Sequence, residues 1–165
     1  MPKIRTRMTL GKAKNHLKRA LREIIDPSPS QTELDSLWAY FKGCCAYCGR
    51  QLRREAREGQ LDHLETSTGG GCSAIGNRVL SCGPCNGDER REIPWREFLR
   101  VKCADEKLHS LRSRLIEGWQ SANPTPPVAE HLVTAMQSAY KEISEAIDEA
   151  VKRLRQELCD PGDGR

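Results

Sequence analysis

Apolar positions recur every three or four residues over most of this 165-residue chain and lose that rhythm only in its middle. Near the start, Ala13, Leu17, Leu21 and Ile24 fall on one face of a helix for which Thr9 is a suitable N-cap. The run Asp26-Pro27-Ser28-Pro29-Ser30 ends it, because proline lacks a backbone donor and disfavours helical geometry in the residue before it. Ser30 and Glu33 have capping-box spacing, which predicts a second helix with Leu34, Leu37, Trp38 and Phe41 as its stripe and Gly43 near its end. From Cys45 to about Glu92 the pattern changes to short extended pieces and turn residues, with Gly69-Gly70-Gly71 marking a loop. Gln60 to His63 and Arg78 to Ser81 are expected to pair as a hairpin. Asn86 onward suits a short helix, and Pro94 opens another whose Trp95, Phe98 and Leu99 face inward. Leu108, Leu111, Leu115 and Trp119 continue as a helical stripe expected to be core. After a corner at residues 122–127, with Thr125 as candidate cap, one long helix carries Leu132, Met136, Tyr140, Ile143, Ile147, Val151, Leu154 and Leu158 on a single face. The fold class read from this pattern is α+β and predominantly helical.

The length suits one modest core dressed with helices, read as a basic helical arm over 1–42, a central unit over 43–103 and a helical extension over 104–165. The net charge of +4 is mild, but its distribution is not. The first 25 residues carry Lys3, Arg5, Arg7, Lys12, Lys14, Lys18, Arg19 and Arg22 against Glu23 alone. Such a segment is drawn to polyphosphate, or is a solvated face that serves solubility; both readings stand for the arm taken by itself. The long helix needs a surface to cover, in its own subunit, in a homodimer or in a partner subunit. Its stripe keeps no strict heptad, which favours self-packing. No apolar run approaches the roughly 20 residues that span a bilayer, and the start lacks a signal peptide's hydrophobic stretch, so a cytoplasmic protein without membrane contact is expected.

Chemistry enters with the cysteines. Four of the eight form two CxxC pairs, Cys45-Ala46-Tyr47-Cys48 and Cys82-Gly83-Pro84-Cys85, separated by 33 residues. Two such turns aim four thiolates at one tetrahedral ion, the preference of structural zinc, and 33 residues let a hairpin leave and return. Cys44 adjoins Cys45, but Cys45 preserves the two-residue spacing. Cys72, Cys103 and Cys159 are single and are read, with Cys44, as free thiols. Between and just after the pairs stand Asp62, His63, Asn77 and Asn86, with 13 residues separating His63 from Asn77 and 8 separating Asn77 from Asn86.

On these residues, together with Gly49, Gly70-Gly71 and Leu80-Ser81, the chain resembles the HNH endonucleases, the ββα-metal nucleases, in the form buttressed by two CxxC knuckles. The resemblance covers roughly residues 43–99. It implies a small zinc-buttressed ββα core flanked by N- and C-terminal helices, and hydrolysis of DNA phosphodiester bonds to 5′-phosphate and 3′-hydroxyl ends. It also implies that Asp62 and Asn86 hold one Mg2+ or Mn2+, that His63 is the general base, and that Asn77 braces the loop orienting it. An imidazole of ordinary pKa about 6.5 is neutral at cellular pH, so cleavage is expected to fade as pH falls through that range. Departures exist: Asn86 stands where many relatives have His, Glu65-Thr66 replaces a common proline, and Gly87-Asp88-Glu89-Arg90-Arg91 lacks a common lysine. Arg90, Arg91 and Arg78 are the candidate phosphate contacts to double-stranded DNA. A restriction or antiphage assembly with a partner subunit suits so small a nuclease. The rival reading is a non-catalytic zinc ribbon binding nucleic acid or protein, which needs the four cysteines but not Asp62, His63 and Asn86.

Overall fold

A computed structural model describes residues 8–66 and 70–159 of the chain; Lys3, Arg5 and Arg7 of the basic arm and Gly69 of the glycine loop lie outside the described residues. Helix α1 (Leu10–Ile25) starts where the Lys12 N–H donates to Thr9 Oγ1 at 3.3 Å, the expected cap. Helix α2 (Gln31–Tyr40) opens on the complete Ser30–Glu33 capping box. Strands β1 (Gly59–His63) and β2 (Arg78–Cys82) form the antiparallel hairpin, with Leu61 opposite Leu80, Asp62 opposite Val79 and His63 opposite Arg78. A 3-10 turn, Ile75–Asn77, precedes β2, and a π-helical turn, Cys85–Glu89, follows it at the place of the expected short helix. Helices α3 (Trp95–Lys102), α4 (Glu106–Ala122) and α5 (Glu130–Cys159) complete the chain. The architecture is mixed and mostly helical with one two-stranded antiparallel sheet.

Two compact units result: residues 26–127, and the segments up to Ile25 and from Val128. Both α2 and α4 therefore pack with the hairpin, and the segment boundaries expected at 42 and 103 fall inside this unit. Its core joins Leu37 and Phe41 of α2, Val79 and Leu80 of β2, Phe98 and Leu99 of α3, and Ile116 and Trp119 of α4. Side chains alternate across a strand, so Leu61, His63, Arg78 and Leu80 share one face of the hairpin while Gln60, Asp62, Val79 and Ser81 share the other. The first face leans on α2: a Cβ at Gly59 would meet both the Trp38 ring and Leu80 Cδ1.

Two expectations from the pattern fail. Leu108, Leu111 and Leu115 are not core; Leu111 is 60% exposed, whereas Ile116 and Trp119 are buried. Trp119 fixes that rotation by donating Nε1 to the Ile75 carbonyl at 3.1 Å and packing on Tyr40 at 5.0 Å between ring centres. Arg112, one helical turn before Ile116, donates to the Tyr47 carbonyl. The inward line of α4 thus runs through 112, 116 and 119, one position round from the leucines. Likewise α5 begins at Glu130 rather than beside Thr125, because Pro126 and Pro127 hold the preceding residues extended; Ala129 O accepts from the Leu132 and Val133 N–H groups.

In the other unit α5 lies against α1. Lys14 Nζ meets Asp148 Oδ2 at 2.6 Å, Lys18 sits over the Tyr140 ring at 5.9 Å, and Met136 is buried. The apolar stripe of α5 thins outward: Leu154 and Leu158 are 59% and 82% exposed. Among the described residues no helix is long and apolar enough to cross a membrane.

Candidate functional site

The two CxxC turns come together as their spacing predicts. The sulfurs of Cys45, Cys48, Cys82 and Cys85 all lie within 4.8 Å of one another, and Cys48 and Cys82 are 3.7 Å apart. A tetrahedron of sulfurs at the Zn–S distance has an edge of about 3.8 Å. These four cysteines lie close together and could hold a metal such as zinc. In the first turn Gly49 adopts φ +71, its N–H returns to Cys45 O at 2.8 Å, and a Cβ there would collide with the Arg112 guanidinium. Ala46 N–H donates to Leu80 O at 2.8 Å, which ties this turn to β2. Burial pushes the Cys45 thiol up to about 11 and Cys85 higher still, its neighbours' charges adding to the effect. Cys48 is also opposed by burial, but hydrogen bonds from the Arg50 backbone and the facing sulfurs carry it below the usual thiol value. The resistance of Cys45 and Cys85 to ionisation is what a soft dication would reverse. Cys44 is outside the group, donating to Gln51 Oε1 at 3.1 Å, so Cys45 is the ligand-side residue.

Asn77 occupies the place of a brace. Its Oδ1 accepts from the Glu65 N–H at 2.8 Å, and its Nδ2 donates to Glu65 O at 2.9 Å and Cys72 O at 2.8 Å. The loop leaving β1 is thereby closed onto the turn entering β2, and Leu64 N–H adds a bond to Asn77 O at 2.9 Å.

Asp62 and His63 depart on opposite faces. Asp62 is 6% exposed, and its carboxylate accepts from Tyr47 Oη at 2.7 Å, from the Arg90 guanidinium and from the His63 N–H. Arg90, 1% exposed, also donates to the carbonyls of His63, Leu64 and Ile93. The expected phosphate contact from Arg90 is therefore corrected: all three of its side-chain nitrogens donate inside the fold. Burial raises the Asp62 carboxyl above its ordinary value against the pull of the Arg90 charge and the Tyr47 hydroxyl. Burial and the Asp62 charge likewise push the Tyr47 phenol well up, so it stays a donor. Arg91, by contrast, is exposed, at φ +48.

His63 is half-buried beside Arg78, whose Nη1 lies 3.1 Å from His63 Nδ1, and Arg78 Nε donates to Ser73 O at 3.2 Å. Burial, then the Arg78 charge, pushes the imidazole down to about 4, against an opposing pull from Asp26. The ring is neutral at pH 7, as expected. Protonation of this ring is accordingly placed near 4, below the ordinary imidazole value. Asp26, buried at 6%, also accepts the Ser73 N–H at 2.7 Å, so it organises the turn that carries Arg78's second contact.

Asn86 is half-exposed and donates Nδ2 to Gln60 Oε1 at 2.8 Å. It shares the Asp62 face of the hairpin through Gln60, but no bond joins its amide to Asp62 among the hydrogen bonds described. Asp62 and Asn86 as arranged do not fit a hydrolytic divalent ion, because the carboxylate is closed by a guanidinium and a phenol. Among the described residues the four cysteines are the one cluster of three or more His, Cys, Asp or Glu side chains that could hold a metal.

Tyr47, Asp26 and Arg112 were not singled out from the sequence. Tyr47 alone carried a signal: lodged between two ligand-type cysteines, its phenol has to point away from the sulfurs. Nothing in the Pro-Ser run marks Asp26. No family model, no curated protein and no solved structure matches the chain.

Proposed function

We propose that this chain is a zinc-clamped HNH-type endonuclease that hydrolyses DNA phosphodiester bonds with His63 as general base. The observation that carries the reading is a neutral, half-buried imidazole at the end of β1, flanked by the Arg78 guanidinium and followed by a loop pinned by Asn77. A base must hold a lone pair at working pH, and a guanidinium beside it supplies the charge that draws in a phosphodiester. In the proposed step a water oxygen bonds to phosphorus as His63 takes its proton. The P–O3′ bond breaks, and the departing O3′ takes a proton from solvent, leaving 5′-phosphate and 3′-hydroxyl ends. Zinc on Cys45, Cys48, Cys82 and Cys85 fixes the hairpin ends and is worth on the order of 10 kcal/mol to a small fold. Arg90 has to release Asp62 before that carboxylate can join Asn86 around the Mg2+ or Mn2+ the resemblance implies.

The test is cleavage of supercoiled plasmid by zinc-loaded protein, with and without added magnesium or manganese, beside His63→Ala. Cleavage lost in the variant, with zinc content and DNA binding retained, supports the reading; undiminished cleavage rejects the base. The second reading, a zinc ribbon without catalysis, is favoured by one observation: the buried Asp62–Arg90 pair looks structural. It predicts no cutting under any ion, whether the ribbon binds nucleic acid or protein. Assembly with a partner subunit in a restriction or antiphage system, and a cytoplasmic setting, belong to the nuclease reading and are tested by the purified protein's size and by co-purification.

A further inference from the structure

We propose that Arg78 is a substrate-operated cap on His63: it closes the ring's only lone pair in the unliganded protein, and a phosphodiester opens it by drawing the guanidinium away. This rests on the nuclease reading. Arginine has donors and no acceptor, so at 3.1 Å from Arg78 Nη1 the His63 Nδ1 must be the accepting nitrogen. The ring proton of the neutral imidazole is then on Nε2. With one nitrogen protonated and the other engaged, His63 as it stands can take no proton from water.

The geometry favours a hinge-like exchange of partners. Register puts Arg78 directly opposite His63 on the same face of the hairpin, so the two cannot drift apart through backbone motion alone. Arg78 is held at its Nε by Ser73 O at 3.2 Å, which fixes the stem of the guanidinium and leaves the Nη end to choose an acceptor. The Ser73 segment is itself fastened by Asp26, which accepts the Ser73 N–H at 2.7 Å. An imidazole nitrogen is a neutral acceptor. A phosphodiester oxygen is charged, and charge-assisted bonds to guanidinium are roughly twice as strong as neutral ones. When phosphate arrives, Arg78 Nη1 moves to it, Nδ1 is released, and the same movement seats the phosphate beside the base. Water is then not activated until a substrate is present, which suits a hydrolytic site open to solvent.

The experiment follows the His63 ring nitrogens by 15N resonance in full-length, zinc-loaded protein, titrated with a short DNA duplex in magnesium-free buffer, in wild type, Arg78→Ala and Arg78→Lys. Expected is an Nε2–H tautomer in all free proteins, with Nδ1 at a hydrogen-bonded position in wild type and at an unbonded one in Arg78→Ala. Duplex moves wild-type Nδ1 to the Arg78→Ala position and leaves that variant unmoved. In plasmid cleavage Arg78→Ala loses about tenfold in kcat/KM, mainly through KM, for one charged contact, and Arg78→Lys recovers part of it. A wild-type Nδ1 that saturating duplex does not move, a duplex that does not bind, or an Arg78→Ala ring that matches free wild type overturns the cap. Should Arg78→Ala not fold, by zinc content and thermal midpoint, the wild-type titration and Arg78→Lys decide alone. Failure of the nuclease reading is separate: Nδ1 moves with DNA, yet cleavage is absent or indifferent to His63→Ala.

Discussion

Replacing Arg90 by methionine removes the charge facing Asp62 while keeping most of the apolar stem. In the wild type one guanidinium bonds Asp62 and the carbonyls of His63, Leu64 and Ile93, and both members of the ion pair are almost sealed from water, with side-chain exposures of 1% and 9%. Taking away one partner of such a pair costs about 3–5 kcal/mol, because the other charge stays buried without compensation. Carbonyls stripped of a donor add about 1 kcal/mol each where water cannot reach them. Asp62 recovers part of this by taking up a proton, a route already eased by burial, which raises its pKa. The net expectation for Arg90→Met is about 4 kcal/mol, a large share of the 5–15 kcal/mol typical of a domain. Asp62→Asn in the same background should restore roughly half, about 2 kcal/mol, whereas in the wild type it should itself destabilise by stranding the Arg90 charge, so the coupling in the double-mutant cycle should exceed about 2 kcal/mol. Urea unfolding of zinc-loaded protein, read by tryptophan fluorescence, measures it, since Trp38, Trp95 and Trp119 all belong to the 26–127 unit. Magnesium should leave the wild-type midpoint unchanged and raise that of Arg90→Met, whose carboxylate is then open to an ion. A loss below about 1 kcal/mol, or a wild-type midpoint that climbs with magnesium, would refute Arg90 as the resident counter-charge of Asp62.

Three further outcomes are expected. Asn77→Asp keeps the shape but turns an acceptor toward Glu65 O and Cys72 O, so it should cost roughly 2–4 kcal/mol and at least as much as Asn77→Ala, read as a shift of the urea midpoint. Ser81 Oγ is buried with no hydrogen-bond partner, alone among the described side chains, and Ser81→Ala should therefore be neutral or stabilising by about 1 kcal/mol in the same assay. The imidazole of His63 titrates near 4 when folded and near 6.5 when unfolded, so the unfolded chain binds the extra proton. His63's share of stability is thus intact above about pH 6.5 and is lost progressively as pH falls toward 4, and an NMR titration should show one histidine still neutral at about pH 5.

Much of this was legible in the chain because local chemistry decided it. The Ser30–Glu33 box, the two strands of the hairpin and the cysteine cluster each rest on local sequence signals, so pattern and structure agree there. The face of α4 was not legible. Leucines at 108, 111 and 115 satisfy helical periodicity as well as the true line through 112, 116 and 119 does, and only tertiary contacts break the tie. Those contacts are polar: an indole N–H and a guanidinium each had to reach a carbonyl on another element. The partner of Asp62 was hidden for a similar reason. Arg90 follows an exposed acidic turn and reads as a surface cation, yet the π-helical turn after Cys85 swings it under β1.

That turn also shows why the cysteine cluster and the Asp62 pair behave as one structural device. Tyr47 lies between Cys45 and Cys48, packs edge-on against Phe98 at 5.2 Å between ring centres, and gives its hydroxyl to Asp62, while Arg90 follows the turn that begins at Cys85 and lies over the Tyr47 ring at 5.7 Å. Both side-chain donors to the carboxylate are therefore carried on segments anchored by the cysteines, one from each CxxC pair. Loosening either pair moves a donor that the buried charge depends on, and the cost of exposing Asp62 adds to that of removing a metal held by the four cysteines. Chelation of zinc and substitution of Arg90 should consequently be non-additive. A chelated wild type and a chelated Arg90→Met should unfold alike, whereas additive losses would show that the two features stabilise the fold independently.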